Sequence, residues 1–507
     1  MRAVTVSTTA IDRDALLGAV PKCEISFTGD ASYTAARNKG AQMHPDFPLA
    51  VAKPTTAREV AALLTFAKER SLKISIQGGG HSSLSMKGQL VVSMRNMNAI
   101  LVDTESMTVK IGGGCLAKEV DAACAPHGIA CVLGNAYTVG VAGLLMGGGH
   151  GHLARWKGLA IDNLICATLV LADGSEVECS AESAEHAELF WGLKGGGANF
   201  GVLVSCTLRA HKVGYDETSK GKGKVHGGMR ILRNGKGFPF GNTLGHAECV
   251  KRWRDYCLNA PDEVSSNLIL PAGAPVHVQE YTYKGDPTSA KVEAKQWKAN
   301  GKGVVSLLKP RSYFTDIQQF VGKMEEAMAK KGGAPPRMLN VLACALPDEA
   351  VEVLCHATTK GAPKGVGEVT VILQALGGKI ARPEAGEDAS AFSQREVPFW
   401  IVVSGCYSKP GKQPTPSQLE TLDAYLHDVA KKLQPLVLSP SAGAVSISAP
   451  YVAGVPTDYK HTLGGTLFTE AKEANLRALK SKYDPEGVFW AVENGMSLAP
   501  AISPSAI

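Results

Sequence analysis

The sequence predicts an α+β protein built in two parts, and three observations along the chain support this prediction. The first 212 residues alternate short strand-like runs with amphipathic helical segments. A stretch rich in glycine and lysine, from Gly214 to about Gly241, then marks a boundary or a long loop. Beyond it, strands that alternate polar and apolar residues predict an antiparallel sheet with helices covering one face.

In the first part, a helix from Thr56 to Leu72 is predicted because Val60, Leu63 and Leu64 share one face, and Thr55 or Thr56 can cap it. The other elements predicted there are strands at 89–94, 100–103 and 108–111, a helix at 116–127, a hairpin at 164–179 and a strand at 200–213. The hairpin turn is Asp173-Gly174, a pair that favours a type I′ turn.

In the second part, the pattern predicts strands and helices in alternation. The predicted strands are 276–283, 369–375 and 399–403, and the predicted helices are 246–257, 289–299 and 417–434. A last helix is expected at 470–482. A chain of 507 residues is too long for one core and fits two or three domains.

Composition narrows the class of protein. With 45% hydrophobic and 20% charged residues the chain is typical of folded soluble proteins. The sequence has no basic stripe with interleaved aromatic residues, so nucleic-acid binding is not expected. No run approaches the roughly 18 apolar residues of a membrane-spanning helix, and the N-terminus has no apolar core of secretory length. None of the twelve cysteines forms a Cys-x-x-Cys pair, which favours free thiols and a cytoplasmic protein, with a processed precursor left open.

The most informative stretch is Gln77-Gly78-Gly79-Gly80-His81-Ser82, which follows a strand-like run. Residues without Cβ let the backbone lie against a flat or charged ligand and point its N–H groups at it. Further glycine triplets stand at 112–114, 147–149 and 195–197. We expect these loops to hold a ligand by close approach of the backbone, and His81 to bind it covalently.

Three common ligand motifs fit poorly. Gly112 to Ala117 matches G-x-G-x-x-A, but no acidic residue stands between Asp121 and Asp162 to bind a ribose. No Gly-Lys is followed by Ser or Thr, as a P-loop requires. His150-Gly151-His152 has no acidic or cysteine partner near in sequence, so no metal site is expected. A flat aromatic ligand with a pyrophosphate remains, and flavin adenine dinucleotide (FAD) fits that description.

Four stretches resemble, in the right order, motifs of a known family. They are 77–82, 137–151, 158–163 and 189–201, and Lys482-Tyr483-Asp484-Pro485 with Phe489 closes the series. They are similar to the loops of the berberine-bridge-enzyme-like group of the vanillyl alcohol oxidase and p-cresol methylhydroxylase superfamily. In that group the histidine of the first loop bonds to the 8α-methyl carbon of the flavin.

The resemblance implies a two-part FAD-binding domain of the p-cresol methylhydroxylase type, from residues 1–212 and 455–507. Residues 213–454 would form the substrate domain, an antiparallel sheet covered by helices. The implied activity is an FAD-dependent oxidase that takes a hydride from a small alcohol, sugar or amine to flavin N5 and reduces O2 to H2O2. The implied partners are this substrate and O2, with neither nucleic acid nor membrane, and the oligomeric state stays open.

The resemblance also implies site residues. His81 would carry the flavin through an 8α-histidyl bond. The implied cofactor-binding residues are Gly78, Gly79, Gly80, Ser82, Tyr137, Thr138, Val139, Gly140, Gly143, Gly147, Gly148, Gly149, His150, Leu153, Asp162, Asn163 and Val204.

Two departures from the family pattern sharpen these expectations. Many members attach the flavin a second time through a cysteine, and Ala136 stands at that place here, so a single attachment is expected. Cys131, five residues upstream, is interpreted as a core thiol. Val139 is a small branched residue where the family controls access of oxygen, which favours an oxidase over the alternative, a dehydrogenase with another electron acceptor.

The catalytic base is not where the family has it. Gly454 replaces the second tyrosine of Tyr-x-Asn-Tyr, and the strand from Trp400 to Val403 carries no carboxylate. The candidates are Tyr281, Gln374, Tyr407 and Tyr451. Between 276 and 283, alternation places Tyr281 on one face and Glu280 on the other. Loss of both familiar bases also leaves open a flavin-retaining protein without catalysis.

Overall fold

The structure is a computed structural model. It describes residues 11–37, 47–81, 86–214, 224–233, 245–272, 276–299, 305–319, 322–323, 337–359, 368–406, 414–438 and 468–489. Three sheets with flanking helices confirm the α+β class.

The first sheet ends at the loop of His81. Its elements are α1 Arg13–Ala19, β1 Glu24–Phe27, α2 Tyr33–Ala36, β2 Ala50–Lys53, α3 Ala57–Glu69, β3 Ile74–Gln77 and β4 Leu90–Ser93. The strand order is β1-β2-β4-β3, with β2, β4 and β3 parallel and β1 antiparallel. Helix α3 starts at the predicted cap, where the Glu59 N–H donates to the Thr56 hydroxyl, and it buries Val60, Leu63 and Leu64.

The second sheet is antiparallel and completes the first part of the chain. Its elements are β5 Ile100–Asp103, β6 Thr108–Gly112, α4 Ala117–Cys124, β7 Ile129–Cys131, α5 Val141–Met146, α6 Ala154–Lys157, β8 Leu164–Val170, β9 Glu176–Ser180, α7 Ala187–Leu193 and β10 Val202–Lys212. Its strand order is β5-β6-β10-β8-β9, and β7 pairs with β10. The long strand β10 therefore organises the sheet, because β6, β7 and β8 all pair with it.

The hairpin between β8 and β9 differs from its predicted turn type. Of the two turn residues only Gly174 has a positive φ, of 85°, whereas a type I′ turn needs two. Asp173 keeps a negative φ because its carboxylate accepts hydrogen bonds from the backbone and hydroxyl of Ser175.

The third sheet is antiparallel and is covered by helices on one face. Its elements are β11 Lys224–Arg233, α8 His246–Asn259, β12 Val264–Leu270, β13 Val276–Tyr283, α9 Pro287–Ala299, β14 Val305–Ser306, β15 Lys309–Ser312, β16 Arg337–Ala343, α10 Asp348–Thr359, β17 Glu368–Ala375, β18 Phe399–Cys406 and α11 Pro416–Val437. The order is β14-β11-β13-β12-β17-β18-β16, and β15 pairs with β11. The strand predicted at 399–403 thus runs on to Cys406.

The two faces of this sheet have different neighbours. In β17, Val371 and Leu373 pack beneath α8, α10 and α11, in one apolar core. On the other side Ile372 of β17 and Trp400 of β18 join the core of the first part of the chain. We call this side the inner face, defined by Glu280, Gln374 and Trp400.

The last described helix, α12 Glu470–Tyr483, returns to the first part and packs on α7. Buried Lys480 donates to the backbone carbonyl of Asn199 and to the Asp484 carboxylate. The division into domains at about residue 213, with a return near residue 455, remains our proposal. Within the described ranges no helix combines the length and apolar character needed to cross a bilayer.

Candidate flavin site

His81 lies where strand β3 gives way to the glycine loop. The loop extends from the first sheet towards the second. There the His81 imidazole contacts Thr138, with 2.9 Å between Nε2 of His81 and the hydroxyl oxygen of Thr138. Burial lowers the pKa of His81, so the neutral ring is favoured at pH 7. Ser82, the next predicted residue, lies outside the described residues.

The two predicted flavin loops touch through their glycines. A Cβ on Gly79 would overlap the backbone nitrogen of Gly140, and a Cβ on Gly140 would overlap that of Gly79. Only glycine at both positions permits this approach. Gly78 and Gly80 flank the contact, and Gly80 has a φ of 73°.

The second loop, from Tyr137 to Gly143, is fixed from behind by the start of α4. The N–H groups of Ala117 and Lys118 donate to the carbonyls of Val139 and Tyr137, at 3.0 and 2.9 Å. The backbone is therefore held while the side chains of Thr138 and Val139 stay half-exposed. Gly143, within α5, is exposed, and a Cβ there would meet no atom within 4 Å.

Two of the glycine triplets have a different role from the one predicted. Added Cβ atoms at Gly112, Gly113 and Gly114 would overlap the backbone carbonyls of Met97, Leu203 and Met94 respectively. These glycines let the second sheet pack on its own connections. Gly195 lies in the same way against the backbone of Phe392. The prediction of close approach was right, but here the partner is the protein itself.

The triplet Gly147-Gly148-Gly149 is buried and pairs with the following motif. The carbonyls of Gly148 and Gly149 accept hydrogen bonds from Ile161 and Ala160, at 3.1 and 2.8 Å. A Cβ at Gly149 would overlap the Cβ of Ala160. The structure thus brings two of the family-like motifs together, and the described contacts of this triplet are with protein.

Asp162 and Asn163, predicted to bind the cofactor, are engaged with protein groups. Asp162 forms a two-pronged ion pair with Arg395, at 3.0 and 2.7 Å, and also accepts from the Leu159 N–H. Asn163 donates to the Leu159 carbonyl and contacts the His211 ring. These contacts indicate a structural role, joining the second sheet to the segment before β18.

Leu153 and Val204 are buried core residues, at 0% and 4% exposure. The Val204 carbonyl accepts from Gly113 N–H, which uses its backbone within the second sheet. In the described residues, no contact links either side chain to His81.

The four candidates for the catalytic base differ in where they lie. Tyr281 is fully buried and packs on Trp297 of α9, beneath the helices and on the far side of the sheet from the inner face. Its surroundings therefore favour a structural role. Gln374 is half-exposed on the inner face. Tyr407 and Tyr451 lie outside the described residues.

A polar cluster joins the first part of the chain to the inner face. The sequence named His150, His152 and Glu280 separately, with His150 as a cofactor-binding residue, but did not predict that they meet. The ring of His152 faces the Glu280 carboxylate, with 3.5 Å between Nε2 and Oε1, and His150 packs edge-on to Trp400. Asn267 donates to the other Glu280 oxygen at 2.7 Å. The alternation in β13 indicated the face on which Glu280 lies, but only the fold supplies His152.

Burial dominates the electrostatics of this cluster. It lowers the pKa values of His150 and His152 to about 3 and raises that of Glu280. Among the described residues no group of three or more metal-ligating side chains is placed to hold a metal ion.

Comparison with known proteins identifies the cofactor class. Residues 48–180 match a family model described as an FAD binding domain. This range contains His81, Thr138 and the glycines that bring their loops together. Residues 48–180 therefore form an FAD-binding domain.

Individual proteins resemble the chain over different lengths. The chain is 34% identical to (R)-6-hydroxynicotine oxidase of Paenarthrobacter nicotinovorans over 193 residues, which is 38% of this chain but only 42% of that protein. It is 27% identical to an FAD-linked oxidoreductase of Dictyostelium discoideum over 459 residues, 89% of each chain. The fold matches that of berberine-bridge-enzyme-like protein 1 of Physcomitrella patens with a TM-score of 0.77, at 20% identity, over 94% of this chain and 96% of the other.

Proposed function

We propose that this protein is an FAD-dependent oxidase whose flavin is attached covalently through His81 alone. The observation that carries the proposal is the meeting of two loops, in which Thr138 binds the His81 ring and Gly79 lies against Gly140. Both loops lie within the matched FAD-binding segment.

The residues present fit an FAD. Glycine-rich backbone can bring N–H groups up to a pyrophosphate, and side chains at Gly79 or Gly140 would fill the place where the loops meet. His81, Thr138 and Val139 would then border the flavin ring.

The surroundings of His81 favour bond formation. The neutral ring is the nucleophilic form, and burial stabilises it. The Thr138 hydroxyl engages Nε2, so we assign the flavin bond to the other ring nitrogen, Nδ1. Holding the ring in one orientation lowers the entropic cost of reaching the 8α-methyl carbon.

A single attachment follows from Ala136. It has no thiol, and the nearby Cys131 is 1% exposed within β7, in the apolar core. A hydrogen bond with Cys124, together with burial, raises the pKa of the Cys131 thiol, which disfavours the reactive thiolate.

The inner face would roof the flavin and hold the substrate, an alcohol, sugar or amine. When bound, FAD supplies the two-electron oxidation of a substrate carbon and passes the electrons to O2, giving H2O2. The chain contributes half-exposed polar groups on this face, among them Asn267 and Gln374. The small side chain of Val139 favours O2 as the acceptor.

Anaerobic mixing with a substrate panel tests the activity. The purified holoprotein is mixed with glucose and oligosaccharides, benzyl alcohol, and cyclic amines, and the yellow colour is followed. Bleaching by one of these, with recovery and peroxide formation on admitting air, supports the oxidase. Bleaching with recovery only by an artificial acceptor indicates the dehydrogenase, and a flavin that nothing bleaches overturns the enzymatic proposal.

A further inference from the structure

We infer that Glu280, held by Asn267 and facing His152, is the catalytic base that takes the proton from the substrate's hydroxyl or amine group. This inference rests on the proposed function, because it needs a substrate oxidised on the inner face. It fills the role that the familiar base positions leave vacant here.

Glu280 is connected to the flavin loops through short contacts. Its Oε1 lies 3.5 Å from Nε2 of His152, which has no hydrogen-bond partner and lies in a side chain only 1% exposed. The His152 N–H donates to the Asn135 side chain at 2.9 Å, and Asn135 lies three residues before Thr138. The carboxylate is thus linked, through His152 and Asn135, to the segment whose Thr138 contacts His81.

The position of Glu280 on the sheet also points to the substrate. Cross-strand pairing sets Glu280 opposite Asn267, Asn267 opposite Gln374, and Gln374 opposite Trp400. These four residues form one row across the inner face, since directly opposed residues share a face. Asn267 and Gln374 are half-exposed, so the row is open beside the carboxylate.

No other strand carboxylate in the described part of the third sheet competes for this role. Glu368 is the second one, and it lies exposed at the start of β17. The strand that follows Arg395, where relatives carry a glutamate, presents Trp400 and Val402 to the inner face.

The charges around Glu280 explain how a buried carboxylate can serve as a base. Asn267 stabilises the anion by its hydrogen bond, whereas burial favours the protonated acid and raises the pKa. The other titratable groups that face this cluster are His150, His152, Arg155, Lys284 and Glu263. Arg155 is bound to the carbonyls of Val264, Leu376 and Ala260 and so supplies a fixed positive charge.

The proposed step balances as follows. The O–H or N–H bond of the substrate breaks, its electron pair forms the new C=O or C=N bond, and its proton goes to Oε1 of Glu280. The C–H bond breaks and its hydrogen leaves with the electron pair as a hydride, for which FAD would be the oxidant.

Flavin bleaching in Glu280→Gln tests the inference, with Glu368→Gln as the matched control. Loss of the base should slow bleaching by roughly 10²–10⁴-fold while the flavin stays attached. The wild-type bleaching rate should rise as the pH passes through the raised pKa of Glu280, and this rise should be absent in Glu280→Gln. Glu368→Gln should keep both the wild-type rate and the pH profile.

An infrared titration of the oxidised holoprotein gives a second readout that needs no turnover. Carboxylic C=O intensity should disappear as pH rises through the same range, and the wild-type minus Glu280→Gln difference should contain the part that belongs to Glu280, apart from that of Asp121. If that variant does not fold, Asn267→Leu can replace it, because it keeps the Glu280 carboxylate but removes the amide that donates to it. This variant should shift both the infrared titration and the pH-dependent rise of the bleaching rate to higher pH.

The outcomes separate this inference from the function on which it rests. A wild-type flavin that bleaches, beside a Glu280→Gln flavin that bleaches at the same rate with the same pH profile, overturns the inference alone. Carboxylic C=O intensity that is equal in wild type and Glu280→Gln also overturns it. A wild-type flavin that no substrate bleaches overturns the proposed function, and the inference with it.

Discussion

At the scale of single residues, the account depends on how Thr138 and two glycines place one imidazole. Thr138 fixes the ring through Nε2, while Gly79 and Gly140 let the two loops meet. The sequence predicted all three positions by resemblance. It could not show that Thr138 contacts His81, because the two residues lie in different loops, 57 positions apart.

Thr138→Val should slow covalent attachment of the flavin, because the isosteric side chain leaves the His81 ring without its hydrogen bond. We expect a larger fraction of released flavin after denaturation, measured by absorbance of the supernatant. Thr138→Ser keeps the hydroxyl and should behave as wild type. Equal attachment in Thr138→Val and wild type would show that the contact does not orient the ring.

Ala136→Cys should give the flavin a second attachment, because the resemblance places this residue where many relatives carry the linking thiol. In the double variant Ala136→Cys with His81→Ala, we expect flavin that still precipitates with the protein. Cys131 serves as the internal control, since it is present throughout. Complete release of flavin from the double variant would contradict this placement of Ala136.

At the scale of elements, the helices and antiparallel strands were predictable where one periodicity dominates. Strand β13 has the predicted bounds, and α3 begins at its predicted cap. The parallel pairing of β2, β4 and β3 was not predicted, because short apolar runs carry no information on their partners. The glycine triplet at 112–114 misled for a related reason: glycine marks a close approach without saying to what.

Arg395→Leu should destabilise the protein by about 3–5 kcal/mol, because it leaves the Asp162 carboxylate largely buried without its partner. Urea unfolding measures the loss, and the double variant with Asp162→Leu should recover part of it. The exposed pair of Lys432 and Asp428 is the control, since removing it should cost under about 1 kcal/mol. A loss below that level for Arg395→Leu would contradict a joining role for the pair.

At the scale of the whole molecule, three sheets bring together residues that the chain keeps far apart. Strand β13 supplies Glu280, and the loop after α5 supplies His152, which lies 128 positions earlier in the sequence. The sequence predicts on which face of its own strand or helix a residue lies, but not which residue lies opposite it in the fold. The flavin loops could therefore be predicted from motifs, whereas the cluster at Glu280 required the fold.

Stability should depend on pH through Asp121, a buried residue of α4. Burial raises its pKa to about 7, partly offset by the Gln318 amide. The folded state therefore favours the protonated acid, so the contribution is full below the unfolded pKa of about 4 and is lost as pH rises towards 7. Asp121→Asn should raise the melting temperature more at pH 8 than at pH 5, and the exposed Glu105→Gln should not. An equal effect of Asp121→Asn at both pH values would contradict it.

The central claim, one covalent bond from His81 to the flavin, is tested most directly by acid precipitation of the purified holoprotein. The account predicts that the yellow colour stays in the wild-type pellet, and that mass analysis places the flavin on the peptide containing His81. In His81→Ala, any flavin should appear in the supernatant. Wild-type colour that passes entirely into the supernatant would contradict the claim.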